Sequence, residues 1–584
     1  MTRLHLNTHQ WKLHLHLNGK DWTNSEVQDR QSLWVYSCLQ GSAFDLRHDS
    51  QQLTHQDLDD LVQHEPQVPL STKLTGHYCY LRILSTQSIL SSSEDQSALK
   101  QTTRAQLSIE VHCDRLCSFP LFYFQNEQEL WLSDDLLYLV DQLRQHQHVE
   151  LEPLGLLSMW RSAQLVSGSH TVWKDIKQSQ ASDLLLWNDG QHTHKKGEIY
   201  THQEDDSMML DSLKSKLKDA ARIFTQRLID YAQGAQIVVP LSGGFDSRLV
   251  LTALVEAKYP NLFAFTYGRH HSGEVKLSEK IAQALNVPWR FVQYSPQKWK
   301  IWQQSPSYKA LFDKARRTSV LAHIQDPMAI NQLVQEGVIQ KNSVIACGHS
   351  GDVHAGSLID QKSLQTELSR AGYIELLSKK YFRFQADIPL IGSSESAENL
   401  NIQLKDKLNQ ELSLAFIQNL NSDQSLDKRE YLIDELERWF AHERCSKYLL
   451  ASMRAYELFG LRWWLPLWDD AFTQVWMAVP LKYRGRFAAY HEFVNEYFEE
   501  VSRSPAPQAS VRSAKPQPIP PLKRWLLKSK LIQTLRFRMQ HPFAWYALIP
   551  LHHHLLSKQP QEHINVHLIQ EEIRWWKDYN KDSH

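Results

Sequence analysis

The chain has 584 residues, and its 64 Lys and Arg residues balance 65 Asp and Glu residues, for a formal net charge of -1. This length exceeds what one hydrophobic core fills and predicts two or three domains, while the balanced charge gives no global basic field that would attract nucleic acid. Six cysteines without zinc or disulfide spacing, and no apolar run of signal-peptide or membrane-span length, indicate a cytoplasmic protein.

Residues 1–200 are predicted to form a layered sheet domain. Short apolar runs bounded by polar turns predict strands at Leu33 to Cys38, His77 to Leu84, Leu107 to Val111 and Leu121 to Phe124. The segment Ser85 to Thr103 is rich in Ser, Gln and Thr, which predicts an exposed loop between two of these strands.

A strand-to-helix junction follows a polar segment, Thr201 to Ser207, that is typical of an interdomain linker, and a long helical pattern that begins at Met208. Gln236 to Leu241 is a short apolar run that predicts a buried strand, and apolar residues from Leu249 onward repeat at helical spacing. After this junction helices and strands alternate, and residues 360–427 are predicted to be mostly helical.

The junction itself, residues 242–247, has the composition of an anion-binding loop. Gly243 and Gly244 let the backbone approach a ligand, and Ser242 and Ser247 add hydroxyls near a helix N-terminus, whose free N–H groups attract anions. Asp246 favours a hard cation such as Mg²⁺ that bridges a carboxylate and phosphate oxygens. The alternative is an ordinary turn with a serine cap, and the sequence contains no Walker-type loop.

The C-terminal part, residues 501–584, is predicted to be a Pro-rich linker and a helical tail. Ser504 to Pro521 is dense in Pro, Ser and Gln, which predicts an extended linker. Leu522 to Met539 interleaves apolar and basic residues as a basic amphipathic helix does. Such a helix can bind weakly to an anionic membrane surface, dock on a partner, or pack on its own protein.

The loop Ser-Gly-Gly-x-Asp-Ser after a strand resembles the PP-loop of the N-type ATP pyrophosphatases, and its surroundings are similar to the asparagine synthetase family, over residues 1 to about 500. The further segments that carry this resemblance are Cys113 to Tyr123, Leu262 to Gly268, Val344 to Asp352 and Leu465 to Asp469.

The resemblance implies a fold for each half of the chain. Residues 1–200 are expected to form an α+β, Ntn-hydrolase-like αββα sandwich, a degenerate glutaminase domain. Residues 208–500 are expected to form an α/β synthetase domain of the adenine nucleotide alpha hydrolase-like (PP-loop) type.

The resemblance also implies a nucleotide and metal site. Asp246 and Asp352 are the expected Mg²⁺ ligands. The residues expected to bind ATP are Leu241, Ser242, Gly243, Gly244, Asp246, Ser247, Thr266, Gly268 and Gly348.

Departures from the family pattern concern both halves. Thr2 stands where glutamine-hydrolysing members carry a nucleophilic cysteine, so glutaminase activity is expected to be lost. His349 stands where the synthetases have a glutamate proposed to act as a base, a role that a histidine can fill near neutral pH. The family's late catalytic lysine has candidates in Lys482, Arg484 and Arg486, each of which could equally be a solvated surface charge.

Together these features predict an AMP-forming amide ligase that activates a carboxylate as an acyl-adenylate and transfers ammonia or an amine to it. The segments 443–447, 452–460 and 465–469 resemble asparagine synthetase-like proteins of bacterial surface polysaccharide synthesis, which implies a small-molecule or carrier-linked carboxylate such as a uronic acid. Trp468 is either a core residue or a sugar-stacking residue. The alternatives are an asparagine synthase acting on aspartate, an intramolecular lactam or peptide cyclase, and an inactive scaffold.

Overall fold

The computed structural model describes residues 2–7, 12–17, 22–28, 34–45, 52–64, 68–85, 107–197, 202–270, 272–359, 370–384, 399, 402–410, 429–484, 488–507, 529–550 and 564–581. Its strands are β1 Thr2–Asn7, β2 Lys12–Leu17, β3 Trp22–Gln28, β4 Trp34–Asp45, β5 Leu74–Ser85, β6 Leu107–Cys113, β7 Phe122–Gln125, β8 Glu129–Ser133, β9 Lys177–Gln178, β10 Asp183–Asn188, β11 Gln191–Lys196, β12 Ile237–Pro240, β13 Leu262–Gly268, β14 Trp289–Gln293, β15 Val344–Ala346 and β16 Arg462–Trp464.

The helices are distributed between and after the sheets. The α-helices are His55–His64, Leu136–Arg144, Pro153–Ser162, Leu210–Ala232, Asp246–Glu256, Gly273–Ala284, Pro296–Gln303, Pro306–Arg316, Pro327–Gln335, Gly351–His354, Arg370–Tyr381, 402–410, Arg429–Trp439, Leu450–Arg454, Asp470–Met477, Leu481–Arg484, Ala488–Ser502, Lys530–Gln540 and Ile564–Lys581. Phe440–Leu449 is a π-helix, and short 3₁₀ turns are found at Leu70–Thr72, Ala455–Phe459, Pro466–Trp468 and Trp545–Leu548.

The N-terminal half contains two sheets, ordered β1-β2-β8-β7-β9 and β11-β10-β6-β5-β4-β3, and the four strands predicted there from the sequence are present. Side chains on strand β5 alternate between the two faces of its sheet and so contact two different layers. Leu81 and Ile83 belong to the large core, whereas Tyr80 packs with Leu58 and Val62 of the helix His55–His64 on the opposite face. The result is a layered α+β half, and its assignment to the Ntn class stays a prediction.

The second half contains a wholly parallel sheet, ordered β14-β13-β12-β15-β16. Its central strand β12 is buried on both faces, since Ile237 and Val239 belong to one core cluster and Val238 to the other. A continuous apolar run is typical of such a doubly covered strand. From β12 the chain builds outward to β14 and then returns to place β15 on the other side, which opens a crevice at the carboxyl ends of β12 and β15.

The described parts of the C-terminal tail pack on the rest of the chain. The N–H of Arg269 donates to the carbonyl of Pro542 at 2.8 Å, and Nε1 of Trp299 donates to the carbonyl of Phe543 at 2.6 Å. The last helix places Trp576 against Trp173 of the N-terminal half, with ring centroids 5.8 Å apart. The tail therefore contacts both halves of the molecule.

Some predictions made from the sequence fall on residues that the structure does not describe. Almost all of the predicted loop Ser85 to Thr103 and most of the linker Ser504 to Pro521 lie outside the described residues. Within residues 360–427 the described parts are helical, at Arg370–Tyr381 and 402–410. Among the described helices, none has the length and apolar character required to cross a bilayer.

Candidate functional site

The loop 242–247 is closed on itself by its serine hydroxyls. The N–H of Ser242 donates to Oγ of Ser247 at 3.0 Å, and the two serine hydroxyls lie 3.0 Å apart. The N–H of Gly244 donates to Oγ of Ser242 at 3.2 Å. The helix Asp246–Glu256 begins within this loop, so its N-terminus and these hydroxyls converge on one small volume that suits an anion.

A second loop, residues 347–351, packs directly on the N-terminus of that helix. A Cβ atom at Gly348 would lie 2.3 Å from the backbone nitrogen of Ser247 and 2.6 Å from the carbonyl carbon of Asp246. Only a glycine can occupy this position without moving one of the two loops, because both of the opposing atoms belong to the backbone.

The same packing brings the two predicted metal-binding segments together. A Cβ atom at Gly351 would lie 3.0 Å from Oδ1 of Asp246, which also accepts a hydrogen bond from the Tyr490 hydroxyl at 2.8 Å. Asp352 follows in the helix Gly351–His354, and its side chain lies outside the described residues. The backbone geometry thus places these segments side by side, and a shared cation remains a prediction.

A cavity of about 170 Å³ lies at the carboxyl ends of β12, β13 and β15. It is lined by Leu241, Ser242, Ser247, Thr266 and Gly348 among the residues expected to bind ATP, together with Pro240, Tyr267, Glu274, His323, Gln325, Asp326, Cys347, His349, Tyr456 and Phe543. Gly268 lies at the end of β13 with φ of 132°, and its carbonyl accepts a hydrogen bond from Tyr294. Gly243 and Gly244 belong to the loop beside this cavity.

A buried polar cluster in this cavity was not predicted from the sequence. The Tyr456 hydroxyl donates to Asp326, and Nδ1 of His323 lies 3.5 Å from Oδ1 of Asp326. Burial alone would raise the pKa of Asp326, but the contacts with His323 and Tyr456 outweigh burial and hold that pKa below its usual value. Asp326 is therefore an anion in the wall of the cavity, and its only sequence signal is its place before the helix-initiating Pro327.

His349 lines this first cavity and also a second, larger one. Burial lowers the pKa of His349 to about 4. The imidazole is therefore neutral at pH 7, and burial makes it a weaker base than a histidine in water. The predicted base is located where the two cavities meet.

The second cavity has a volume of about 610 Å³ and extends away from the loop 347–351. It is lined by Ser162, Ala163, Gln164, His349, Ser350, Val353, Ser357, Leu358, Lys380, Tyr381, Arg383, Phe384, Phe440, Arg444, Leu449 and Asn565. Both halves of the chain and the last helix contribute to this wall.

The π-helix Phe440–Leu449 fixes one side of the second cavity. Glu443 accepts hydrogen bonds from the N–H of Gly168 at 3.0 and 3.1 Å, and Nζ of Lys447 donates to Glu443 at 2.7 Å. Between them, Arg444 lines the cavity and its Nε donates to Oε1 of Gln164 at 3.1 Å. Local π-helical winding is often found at functional sites. The segment 443–447 thus joins the two halves and orients one arginine toward the cavity.

Lys482 and Arg484, the described basic residues of the predicted segment, do not line either cavity. Lys482 is exposed, with Nζ 3.5 Å from the carbonyl of Asp206, and Arg486 lies outside the described residues. Arg484 is buried in an ion pair with Glu437 at 3.0 Å and lies 2.8 Å from Nε2 of His202. His202, Glu437 and Asp434 are close enough to hold a metal, but the guanidinium of Arg484 already contacts two of these three residues, His202 and Glu437. A catalytic role for Lys482 has no support in this geometry.

Two aromatic residues bear on the sequence-based interpretation: Trp468 follows the interpretation as a core residue, and Phe543 was not singled out. Trp468 is buried, with its ring 4.6 Å from that of His354, so it is a core residue and does not stack on a sugar. Phe543 lies beyond the part of the chain that the family resemblance covers, yet it lines the first cavity, and its ring centroid is 5.8 Å from that of Tyr267. The tail therefore completes this cavity.

Comparisons with known proteins agree with this geometry over part of the chain. Residues 236–314 match the family described as "Queuosine biosynthesis protein QueC". This range contains the loop 242–247 and the strands β12, β13 and β14, and it is a PP-loop ATP pyrophosphatase superfamily domain with a parallel α/β sheet.

One solved structure that matches is the NH₃-dependent NAD synthetase from Campylobacter jejuni subsp. jejuni NCTC 11168 in complex with the nitrate ion. It is 17% identical, and the match covers 38% of this chain and 100% of that chain, with a TM-score of 0.19. A TM-score this low carries no argument about fold or function. The comparison with curated proteins gives no match.

Proposed function

We propose that the chain is an ATP-dependent, AMP-forming carbon–nitrogen ligase of the asparagine synthetase-like type, which converts a carboxylate into an amide. The observation that carries the proposal is the packing of loop 347–351 on loop 242–247, beside a cavity at the carboxyl ends of the strands, with the neutral His349 lining both this cavity and a larger second one. A carboxylate in the second cavity and a nucleotide in the first would therefore share His349 as a neighbour.

The first step forms the acyl-adenylate. A carboxylate oxygen attacks the α-phosphorus of ATP, the bond to the β-phosphate breaks, and pyrophosphate leaves. The N-terminus of the helix Asp246–Glu256 and the hydroxyls of Ser242 and Ser247 bind the departing phosphates. The carboxylates of Asp246 and Asp352 are hard oxygen donors that suit Mg²⁺, which would neutralise charge on the pyrophosphate.

The second step transfers nitrogen. Ammonia or an amine attacks the acyl carbon, AMP leaves with the electron pair of the broken C–O bond, and the nitrogen loses a proton. The neutral imidazole of His349 is placed to accept that proton, because it lines both cavities. In this proposal the ammonia or amine is taken from solution, from a partner or from the substrate itself.

The test is substrate-dependent exchange of labelled pyrophosphate into ATP, measured on the full chain with a panel of aspartate, free uronic acids and nucleotide-linked uronic acids. We expect exchange with at least one carboxylate, and amide formation when ammonium is added. Ser247→Ala should reduce exchange, whereas His349→Asn should retain exchange and lose amide formation. Magnesium-ATP binding without exchange for any carboxylate would instead indicate an inactive scaffold, and amide formation that ignores ammonium would indicate a cyclase.

A further inference from the structure

The described residues that line the second cavity carry a single sign of charge. Lys380, Arg383 and Arg444 line it, and among its described lining residues there is no Asp or Glu. A concave, partly desolvated surface with one sign of charge focuses its field on a ligand of the opposite sign. This cavity therefore attracts anions more strongly than the balanced charge of the whole chain would suggest.

The two guanidinium groups are held by neutral contacts. The Cζ atom of Arg444 lies 5.1 Å from the ring centroid of Phe440, and Cζ of Arg383 lies 4.9 Å from that of Phe384. Arg444 also donates to the neutral amide of Gln164. Within the described part of the chain, no carboxylate forms an ion pair with Arg383 or Arg444. Stacking on aromatic rings orients both groups and leaves their positive charge to be balanced by a ligand.

The size of the cavity excludes a small substrate as its full occupant. A volume of about 610 Å³ holds about 20 water molecules, at roughly 30 Å³ each, and lies within the range of pockets that bury drug-sized ligands. Aspartate would leave most of this space filled with water. Tyr381, Phe384 and Phe440 offer apolar surface against which a ring can pack.

We propose that Arg383 and Arg444 form an anion subsite that binds a phosphate or diphosphate group of the carboxylate substrate. The inference rests on the proposed function in one respect: the carboxylate end must lie at His349 for adenylation. The phosphorylated end then extends into the second cavity, where a planar guanidinium can bind two phosphate oxygens at once. The substrate class is a phosphorylated or diphosphate-linked carboxylate.

The first test measures binding without ATP, by equilibrium dialysis of the full chain. The probes are UDP-glucuronate, farnesyl diphosphate-linked glucuronate and free glucuronate. We expect at least one diphosphate-linked probe to bind about tenfold or more tightly than free glucuronate, because each charge-assisted contact contributes about that factor. The tighter of the two linked probes identifies a nucleotide or a lipid carrier. Equal binding of linked and free glucuronate would overturn the inference.

Variants connect that binding to the cavity. Arg444→Gln and Arg383→Gln should each weaken binding of the linked probe about tenfold, and Arg444→Lys should restore part of it. Arg290→Gln is the matched control, because Arg290 is exposed and pairs with Glu336 at 3.2 Å, away from the cavity lining. Unchanged binding in both cavity variants, with wild-type thermal unfolding, would refute the subsite.

Pyrophosphate exchange with the same probes separates this inference from the proposed function. Tight binding of a linked probe that supports no exchange would retain the subsite and overturn adenylation. Exchange with aspartate that equals or exceeds exchange with the linked probes would retain the ligase and overturn the subsite.

Discussion

Replacing Gly348 by alanine is expected to inactivate the protein while leaving it folded. The new Cβ atom would lie 2.3 Å from the nitrogen of Ser247, and ordinary van der Waals contact begins at 3.4 Å, so the loop 347–351 must move by 1.1 Å relative to the loop 242–247. A displacement of about 1 Å in a catalytic arrangement can reduce the rate about 100-fold. Overpacking of this kind costs about 1 to 3 kcal/mol of stability.

The assay is pyrophosphate exchange with the best substrate of the panel, measured beside thermal unfolding. We expect exchange to fall about 100-fold and the melting temperature by about 2 to 4 °C for each kcal/mol lost. Gly337→Ala is the control, because its φ of 70° strains an alanine in otherwise open space, and Gly337 does not line the cavity. That variant should lose stability and keep activity. Wild-type exchange in Gly348→Ala would show that the contact between the two loops is not needed for catalysis.

Three further predictions follow from individual contacts. Asp246→Asn keeps an oxygen for the Tyr490 hydroxyl but loses its charge, so pyrophosphate exchange should fall at least about 100-fold and should not recover at high Mg²⁺. Phe543→Ala should raise the KM for ATP about five- to twentyfold with little change in kcat, because Phe543 lines the first cavity. Leu535→Ala, in an exposed part of the tail, is the control and should change neither constant. Equal KM values in the two variants would place the tail outside the nucleotide site. Burial lowers the pKa of His77 to about 3, and its Nε2 accepts from the N–H of Leu465, so the unfolded state binds more protons below pH 6.5 and stability falls as the pH drops. By pH 5 this group should cost about 2 kcal/mol, so the urea midpoint of the wild type should fall further between pH 7 and pH 5 than that of His77→Gln. Equal falls in the two proteins would contradict the lowered pKa of His77.

The strand, loop and helix at residues 236–256 could be predicted from the sequence because the patterns that specify them are local. The apolar run before Ser242 and the helical spacing after Asp246 predict a strand and a helix, and β12 and the helix Asp246–Glu256 confirm both. The glycines between them are required by contacts between nearby backbone atoms, so this requirement is visible in the sequence itself.

The residues that line the two cavities were harder to predict from the sequence. Asp326 and Phe543 come from separate segments that no local pattern connects, and they meet only because the sheet and the tail bring them together. Lys482 and Arg484 illustrate the same dependence on tertiary neighbours. Their sequence resembles a catalytic segment, but one side chain is exposed and the other is buried in an ion pair. Whether a charge faces a ligand or a carboxylate depends on neighbours far away in the chain.

The sequence by itself determined the chemistry available to this protein: an anion-binding turn, a carboxylate beside it and a histidine in a glycine-flanked loop. Those features depend on residues a few positions apart, whose geometry follows from local backbone preferences. Only the tertiary structure decided that the loop 347–351 rests on the loop 242–247, that Phe543 of the tail lines the first cavity, and that three cations line the second cavity without a carboxylate among its described residues. Packing and burial fix these relations, because they bring together segments separated by hundreds of residues.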